Sequence, residues 1–279
     1  MAMATHDSGA RWKTFLSEAK EQEITLLLSR QTASPVIDVS FHELTGFDPE
    51  FAEDILISPR LIISSGHKIL SEICRDRGVD LDAMIRLSDL PKDTMRPLRE
   101  IGSRDIDKLR SLDVIVTKMS QLKPRIHLAV FQCETCGETQ QIDQTNESEL
   151  VEPIRCPPDT GCGASIRGTD STRFNLVMNI SRMINNQWLE IQELPENVPS
   201  GAQPSRAQVL LEGDLVNKHL PGQRITANVI PVVRSEIKKN KKTPMFDIIY
   251  HMVSSTHESV PFTEIKISDE ERAQIEDVA

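Results

Sequence analysis

Four cysteines constrain this chain more than any other feature. Cys133-Glu134-Thr135-Cys136-Gly137 opens one short arm, and Cys156-Pro157-Pro158-Asp159-Thr160-Gly161-Cys162-Gly163 forms a second. Nineteen residues separate Cys136 from Cys156. The fifth cysteine, Cys74, stands apart among apolar neighbours. The odd count, with no apolar signal-peptide core in Met1–Ala10, disfavours a disulfide framework and favours a metal site. Two closely spaced pairs brought together by a hairpin are what tetrahedral zinc requires. The glycine after the second cysteine of each pair lets the backbone turn so that amides face the sulfurs. Four thiolates close the coordination sphere and leave no position for an activated water, so the expected role is structural. No histidine stands close enough in sequence to replace a thiolate; His127 and His251 fall within strand candidates.

The 279 residues suffice for about two domains, each with its own core. At 38% apolar and 27% charged the chain is globular in composition, and no run approaches 18 apolar residues. The expected location is the cytoplasm. A net charge of -10 argues against a protein coated in basic surface, but a concentrated local patch sets its own field. Aromatics are only 4% of residues, too few for a surface built on many stacked bases.

The apolar spacing predicts helices over residues 1 to about 95. Trp12, Phe15, Leu16 and Ala19 share one helical face, and Ile24 to Leu28 extend it. Val36 to Val39 reads as a short strand. Glu50 to Leu56 reads as a short helix, and Pro59 opens another that Gly78 ends. Beyond Pro97 the pattern becomes short β-branched runs bounded by Pro, Gly, Asn and Ser: Leu112–Met119, Arg125–Gln132, Arg173–Met178, Ala207–Leu211, Arg224–Val233 and Met245–Val253. These predict a small barrel or sandwich, interrupted by the cysteine segment at about 132–168. Ser268 and Glu271 form a capping box for a last helix that the chain end cuts short, which suggests a longer parent protein.

Arg234, Lys238, Lys239, Lys241 and Lys242, against the single acid Glu236, join the last two strand candidates. The reading is a long β-hairpin with a basic tip. Residues 234–242 contain no aromatic, so the tip would grip phosphates and not stack bases. The alternative is a solvated loop. The sequence contains no G-x-x-x-x-G-K-[ST], G-x-S-x-G, H-E-x-x-H or G-x-G-x-x-G, and nothing in it composes an active site.

The segment Ile191-Gln192-Glu193-Leu194-Pro195-Glu196, running through Gly201, Pro204, Ser205 and Arg206 to Asp214-Leu215-Val216 and Pro221-Gly222, is distinctive. It resembles the signature of the N-terminal region of minichromosome maintenance (MCM) proteins, the replicative helicases of archaea and eukaryotes. Lys123-Pro124-Arg125-Ile126 leading into a strand that ends at Cys133, the cysteine insertion and the basic hairpin are similar as well. The match covers about residues 95 to 265, and more loosely the helices around Phe47-Asp48-Pro49. The family's Pro-Arg is here Pro204-Ser205-Arg206, and Lys123 stands where the family often has Arg. The chain looks most like an archaeal member.

That resemblance implies an α+β fold in three parts. These are a helical subdomain over 1–95, an OB-fold β-barrel over 96–131 and 169–267, and an inserted zinc ribbon over 132–168. Residues 268–279 would begin a linker helix to an ATPase module. It implies zinc on Cys133, Cys136, Cys156 and Cys162. It implies DNA contacts, single- or double-stranded, from Arg234, Lys238, Lys239, Lys241 and Lys242, with Lys123, Arg125 and Arg206 as a second set. It further implies a homo-oligomer, hexamer or double hexamer, with ribbons at the ring-to-ring face and hairpins in the channel. Other replication-initiation factors would be partners, with no membrane, in a nucleoid-associated cytoplasmic setting. The Gln192–Gln208 loop would communicate with the ATPase ring. The fragment itself would not be an enzyme. A free-standing OB/zinc-ribbon nucleic-acid adaptor is the alternative; a metal-dependent hydrolase would need an open zinc site.

Overall fold

Helices form where the apolar period places them, and local chemistry sets their ends. The computed structural model describes residues 2–29, 35–144, 149–166, 173–238 and 241–257. Helices α1 (Ala2–Ala19) and α2 (Glu21–Ser29) turn Trp12, Phe15, Leu16, Ile24 and Leu27 inward. After strand β1 (Val36–Ser40) come α3 (Phe41–Phe47), α4 (Pro49–Ile57) and α5 (Pro59–Asp76). Ser40 and Glu43 cap α3 reciprocally: the hydroxyl accepts the His42 N–H at 3.3 Å and Glu43 accepts the Ser40 N–H at 3.2 Å. Asp48 accepts the Phe51 N–H at 3.0 Å to start α4. Gly78, at φ +86, takes the left-handed conformation that ends α5.

The expectation of helix up to residue 95 is corrected at β2 (Met84–Ser88), which pairs parallel to β1 from Val36↔Met84 to Ser40↔Ser88. An apolar run this short is not separable from buried helix by periodicity alone. α1 and α5 meet at Gly66, where a Cβ would stand 2.8 Å from the Trp12 ring and 2.9 Å from Ile85. Trp12 donates its indole N–H to the Ile62 carbonyl at 2.8 Å across the same contact.

The remaining strands are β3 (Arg110–Met119), β4 (Lys123–Cys133), β5 (Thr139–Asp143), β6 (Phe174–Leu176), β7 (Arg182–Glu193), β8 (Arg206–Glu212), β9 (Arg224–Lys238) and β10 (Lys241–His257). Five of them close a ring. β3 runs antiparallel to β9, β9 antiparallel to β10, and β10 parallel to β8 at Tyr250↔Val209. β8 adjoins β7, and β7 returns antiparallel to β3 from Val114↔Glu193 to Met119↔Leu189. A five-stranded closed ring with that one parallel pair is an OB-type barrel. Its interior is mostly apolar: Leu112, Val114, Val116, Leu189, Ile191, Val209, Ile225, Ala227 and Val229 are all buried.

β7 has no counterpart among the strands that the sequence pattern predicts. Gln187 and Glu193 are polar yet 1% and 2% exposed, which breaks the alternation that betrays a strand. Gln187 is satisfied by Ser120 and Asn217, and Glu193 by Arg99.

The chain divides into two compact units. One comprises Met1–Met119, Leu189–Leu210 and Lys218–Ala279, and so the helices and the ring. Within it Arg86 donates to the Val253 carbonyl at 3.1 Å, and the Leu87 carbonyl accepts from Asn228 and Ser254, tying β2 to the barrel wall. The other comprises Ser120–Trp188 and Leu211–Asn217. In it β4 pairs with β5, with β6 and with the first half of β7. The arm inserted between β3 and the second half of β7 thus extends well beyond the cysteine segment. Among the described residues no helix is long and apolar enough to cross a membrane.

Candidate metal centre and nucleic-acid interface

The two cysteine arms are hairpin turns brought face to face. β4 delivers Cys133, whose carbonyl accepts the Gly137 N–H at 2.9 Å, while its own N–H donates to the Glu138 carbonyl at 2.8 Å. The second arm repeats the device, with Cys156 N–H donating to the Ala164 carbonyl at 2.8 Å. Gly137 and Gly163 have φ of +77 and +68, the conformation expected of a glycine after each second cysteine. The longer arm folds over itself through Gly161, whose N–H donates to the Pro157 carbonyl at 2.9 Å.

This brings all four sulfurs within 4.8 Å of one another. Cys133 and Cys162 are 3.7 Å apart and Cys136 and Cys156 3.6 Å apart. A tetrahedron with zinc–sulfur bonds of about 2.3 Å has an edge of about 3.8 Å, so the cage has the size of a thiolate-ligated zinc ion. Cys162 donates its N–H to the Cys156 sulfur and Ala164 donates to that of Cys162. Amides aimed at sulfur stabilise thiolates bound to a cation. Burial, with hydrogen bonding between the crowded sulfurs, pushes the Cys156 thiol up to about 12. Cys162 is pushed up as well, and a divalent cation displaces thiol protons on binding. The residues fit zinc.

β9 and β10 form the long hairpin. Their register runs from Ile225↔His257 to Lys238↔Lys241, with an irregularity between Lys242 and Phe246. Arg234 donates to Gln208 at 3.4 Å. Lys239 lies outside the described residues, as do the side chains of Lys238, Lys241 and Lys242 and the helix expected from Ser268. Beside the basic run, Met245 and Phe246 are 72% and 55% exposed. The run 234–242 lacks an aromatic, but the arm of the hairpin supplies one.

Of the second basic set, Lys123 and Arg125 lie on β4 in the smaller unit. Strand alternation puts them on one face, with Ile184 and Asn186 of β7 opposite. Lys123 is exposed, but Arg125 is already engaged: it donates to Glu212 at 2.5 Å and to the Gln144 carbonyl at 3.0 Å. Arg206 lies in the larger unit, where it donates to Gln192 at 3.0 Å and faces Glu190 at 3.6 Å. Sequence reasoning finds the basic residues and misses their acidic partners, because Arg125 and Glu212 are 87 residues apart.

The loop between β7 and β8 is pinned at its base. Arg99 reaches Glu193 through Nε at 2.8 Å and Nη2 at 2.6 Å, and the Glu193 N–H donates to the Ser205 carbonyl while its carboxylate accepts the Ser205 N–H. The Arg99 guanidinium holds the Glu193 carboxyl below the ordinary carboxylate range, against the opposing effect of burial.

Residues 97–234 match the family described as the MCM OB domain. The chain is 28% identical over 273 residues to the minichromosome maintenance protein MCM of Saccharolobus solfataricus, covering 92% of this chain and 37% of that protein. It is 26% identical over 255 residues to the DNA replication licensing factor mcm4-A of Xenopus laevis, covering 86% of this chain and 28% of that one. The chain therefore spans between about a fifth and just over a third of the length of the curated relatives it matches. Among solved structures, the N-terminal domain of an archaeal MCM superposes with a TM-score of 0.78 at 26% identity, covering 91% of this chain and all of that one.

Proposed function

The chain is an N-terminal region of an MCM protein, and from that premise we propose that it binds DNA and assembles into the ring that a replicative helicase threads along its substrate. DNA binding and oligomerisation are the general roles of such regions. In the finer reading the ring is a hexamer or double hexamer, and the basic hairpins hold the sugar-phosphate backbone inside it. Residues 1–95, the barrel over 96–131 and 169–267 and the ribbon over 132–168 then divide the work. Helices support, the barrel and hairpin bind, and the zinc-held ribbon meets other copies or replication-initiation factors. The sequence has no phosphate-binding loop, so we assign ATP hydrolysis and unwinding to a motor module of the parent protein, acting on nucleoid DNA in the cytoplasm.

The observation that carries this reading is the closed barrel bearing, on one long hairpin, a basic run in a chain of net charge -10. Charge so placed is suited to phosphates in a confined channel, where several weak tips act on one strand at high effective concentration. The decisive test is negative-stain imaging of the purified chain with and without DNA. Six-fold rings with density in the channel are expected. Monomers that bind DNA one at a time would favour the motor-free adaptor and overturn the ring assignment.

A further inference from the structure

Arg125 does not wait for its ligand with an empty fork. Its side chain is only 19% exposed, and its two terminal nitrogens are held differently. Nη1 donates to the Gln144 carbonyl at 3.0 Å, and Nη2 donates to the Glu212 carboxylate at 2.5 Å. Nε is buried and has no acceptor among the described residues. The Gln144 side of this clamp is rigid. Its N–H donates to the His127 carbonyl at 2.8 Å, and its amide exchanges two hydrogen bonds with the Val151 backbone at 2.7 and 2.9 Å. The Glu212 side is the last residue of β8, followed directly by Gly213 at φ +66 and a short turn. One contact is therefore a neutral carbonyl fixed in place. The other is a charged group at a strand end.

A guanidinium fork matches carboxylate and phosphate oxygens equally well, through the same two parallel N–H donors. Glu212 thus stands on the donor that a backbone phosphate would take, whereas the Gln144 carbonyl can stay where it is when a phosphate arrives. We propose that Glu212 is a built-in competitor for the nucleic-acid backbone at Arg125, so that a phosphate gains this arginine only by displacing the carboxylate. The inference rests on the reading of Lys123 and Arg125 as DNA contacts. Exchange of one anion for another has two consequences. Arg125 contributes little net affinity while Glu212 is present, because one charge-assisted bond is given up for the one gained. It also contributes little to the salt dependence, because the carboxylate set free attracts the cation that the phosphate gives up. Lys123, two residues earlier on the same face and exposed, has no such rival among the described residues and makes the first contact.

The test is a double-mutant cycle. Binding of a fluorescent oligothymidine is followed by anisotropy across a salt series for the wild-type chain, Glu212→Gln, Arg125→Ala and the two combined. Glu212→Gln keeps the shape and removes the charge; Glu212→Ala serves if the glutamine variant is poorly folded, and zinc content and thermal melting report folding for all. The expected result is affinity raised about three- to tenfold in Glu212→Gln, with a slope of log affinity against log salt steeper by up to about 0.7, one further phosphate on a single strand. In the Arg125→Ala background the same change should do nothing. Equal affinities for wild type and Glu212→Gln would overturn the proposal. So would a gain that persists without Arg125, which would mean only that a less acidic chain binds DNA better. If Arg125→Ala, Lys123→Ala and removal of the hairpin lysines all leave affinity untouched, the DNA-contact reading itself falls, and this inference with it.

Discussion

The backbone of Gly161 passes so close to the Cys156 sulfur that a methyl group on it would collide with Sγ. The same methyl would stand 3.0 Å from the Pro157 carbonyl oxygen and 3.3 Å from the Glu138 Cβ, so there is little room for it to turn aside. With any other residue here, the Cys156 sulfur or the arm itself must shift. Gly161→Ala should push the sulfur off the tetrahedron and lower zinc affinity at least tenfold, the scale of damage next to a metal's ligands. Competition with a chromophoric chelator measures it; unchanged affinity would mean the arm can open around the methyl. Cys133→Ser should release the metal outright with the barrel still folded, as read by metal analysis together with far-ultraviolet circular dichroism.

On the hairpin, Lys239→Ala combined with Lys241→Ala should weaken binding to unrelated DNA sequences alike. The slope of log affinity against log salt should flatten by roughly 0.7 to 0.9 for each phosphate that the variant no longer neutralises. Zinc content and assembly should not change. Identical slopes for wild type and variant would reduce the tip to a solvated loop.

His219 gives the chain a stability that depends on pH. It is 1% exposed, its Nε2 meets the Ser255 hydroxyl at 3.1 Å, and its Nδ1 is buried without a partner among the described residues. Burial, then the charges of His257 and Lys218, push its pKa down to about 4. The folded chain therefore refuses a proton that the unfolded chain accepts near pH 6.5. Stability is fully present above pH 6.5 and is lost as the pH falls toward 4, by at most about 3 kcal/mol. Urea unfolding across that range should show the decline in wild type and not in His219→Gln. Asp105, which Arg110 holds low against the effect of burial, adds its own loss only in more acidic solution.

At the α1–α5 contact, Gly66→Ala sets two effects against each other. Alanine should gain about 1 kcal/mol in helix propensity. The added methyl, 2.8 Å from the Trp12 indole and 2.9 Å from Ile85, overpacks the core by about 1–3 kcal/mol. The net change should be destabilising, seen as a lower urea midpoint. A stabilised variant would show that Trp12 can shift.

What is legible in the sequence depends on whether the signal is local. The cysteine arms, the caps at Ser40 and Asp48 and the glycine turns act over a few residues and can be read directly. β7 cannot, because its inward residues include Gln187 and Glu193, whose burial depends on Asn217 and Arg99 far along the chain. The basic residues at 123, 125 and 206 are visible as charge, yet the engagement of Arg125 by Glu212, and of Arg206 by Gln192 and Glu190, is a tertiary fact. No spacing rule connects residue 125 to residue 212.

Met119 and Leu189 are the last register pair where β3 and β7 close the barrel. The inserted segment from Ser120 to Trp188 leaves and re-enters the ring at that rung, and Leu211–Asn217 join it in the smaller unit. A ring interrupted at one rung is indifferent to the length of what hangs there, since the entropy of closing a loop grows only slowly with its length. Changes of length at the far end of the arm, beyond the Arg125–Glu212 and Gln187–Asn217 contacts, should therefore cost the barrel little. Engineers have the same freedom at that far end: replacing the cysteine segment by a short turn should leave a barrel that folds without any metal, as far-ultraviolet circular dichroism would show.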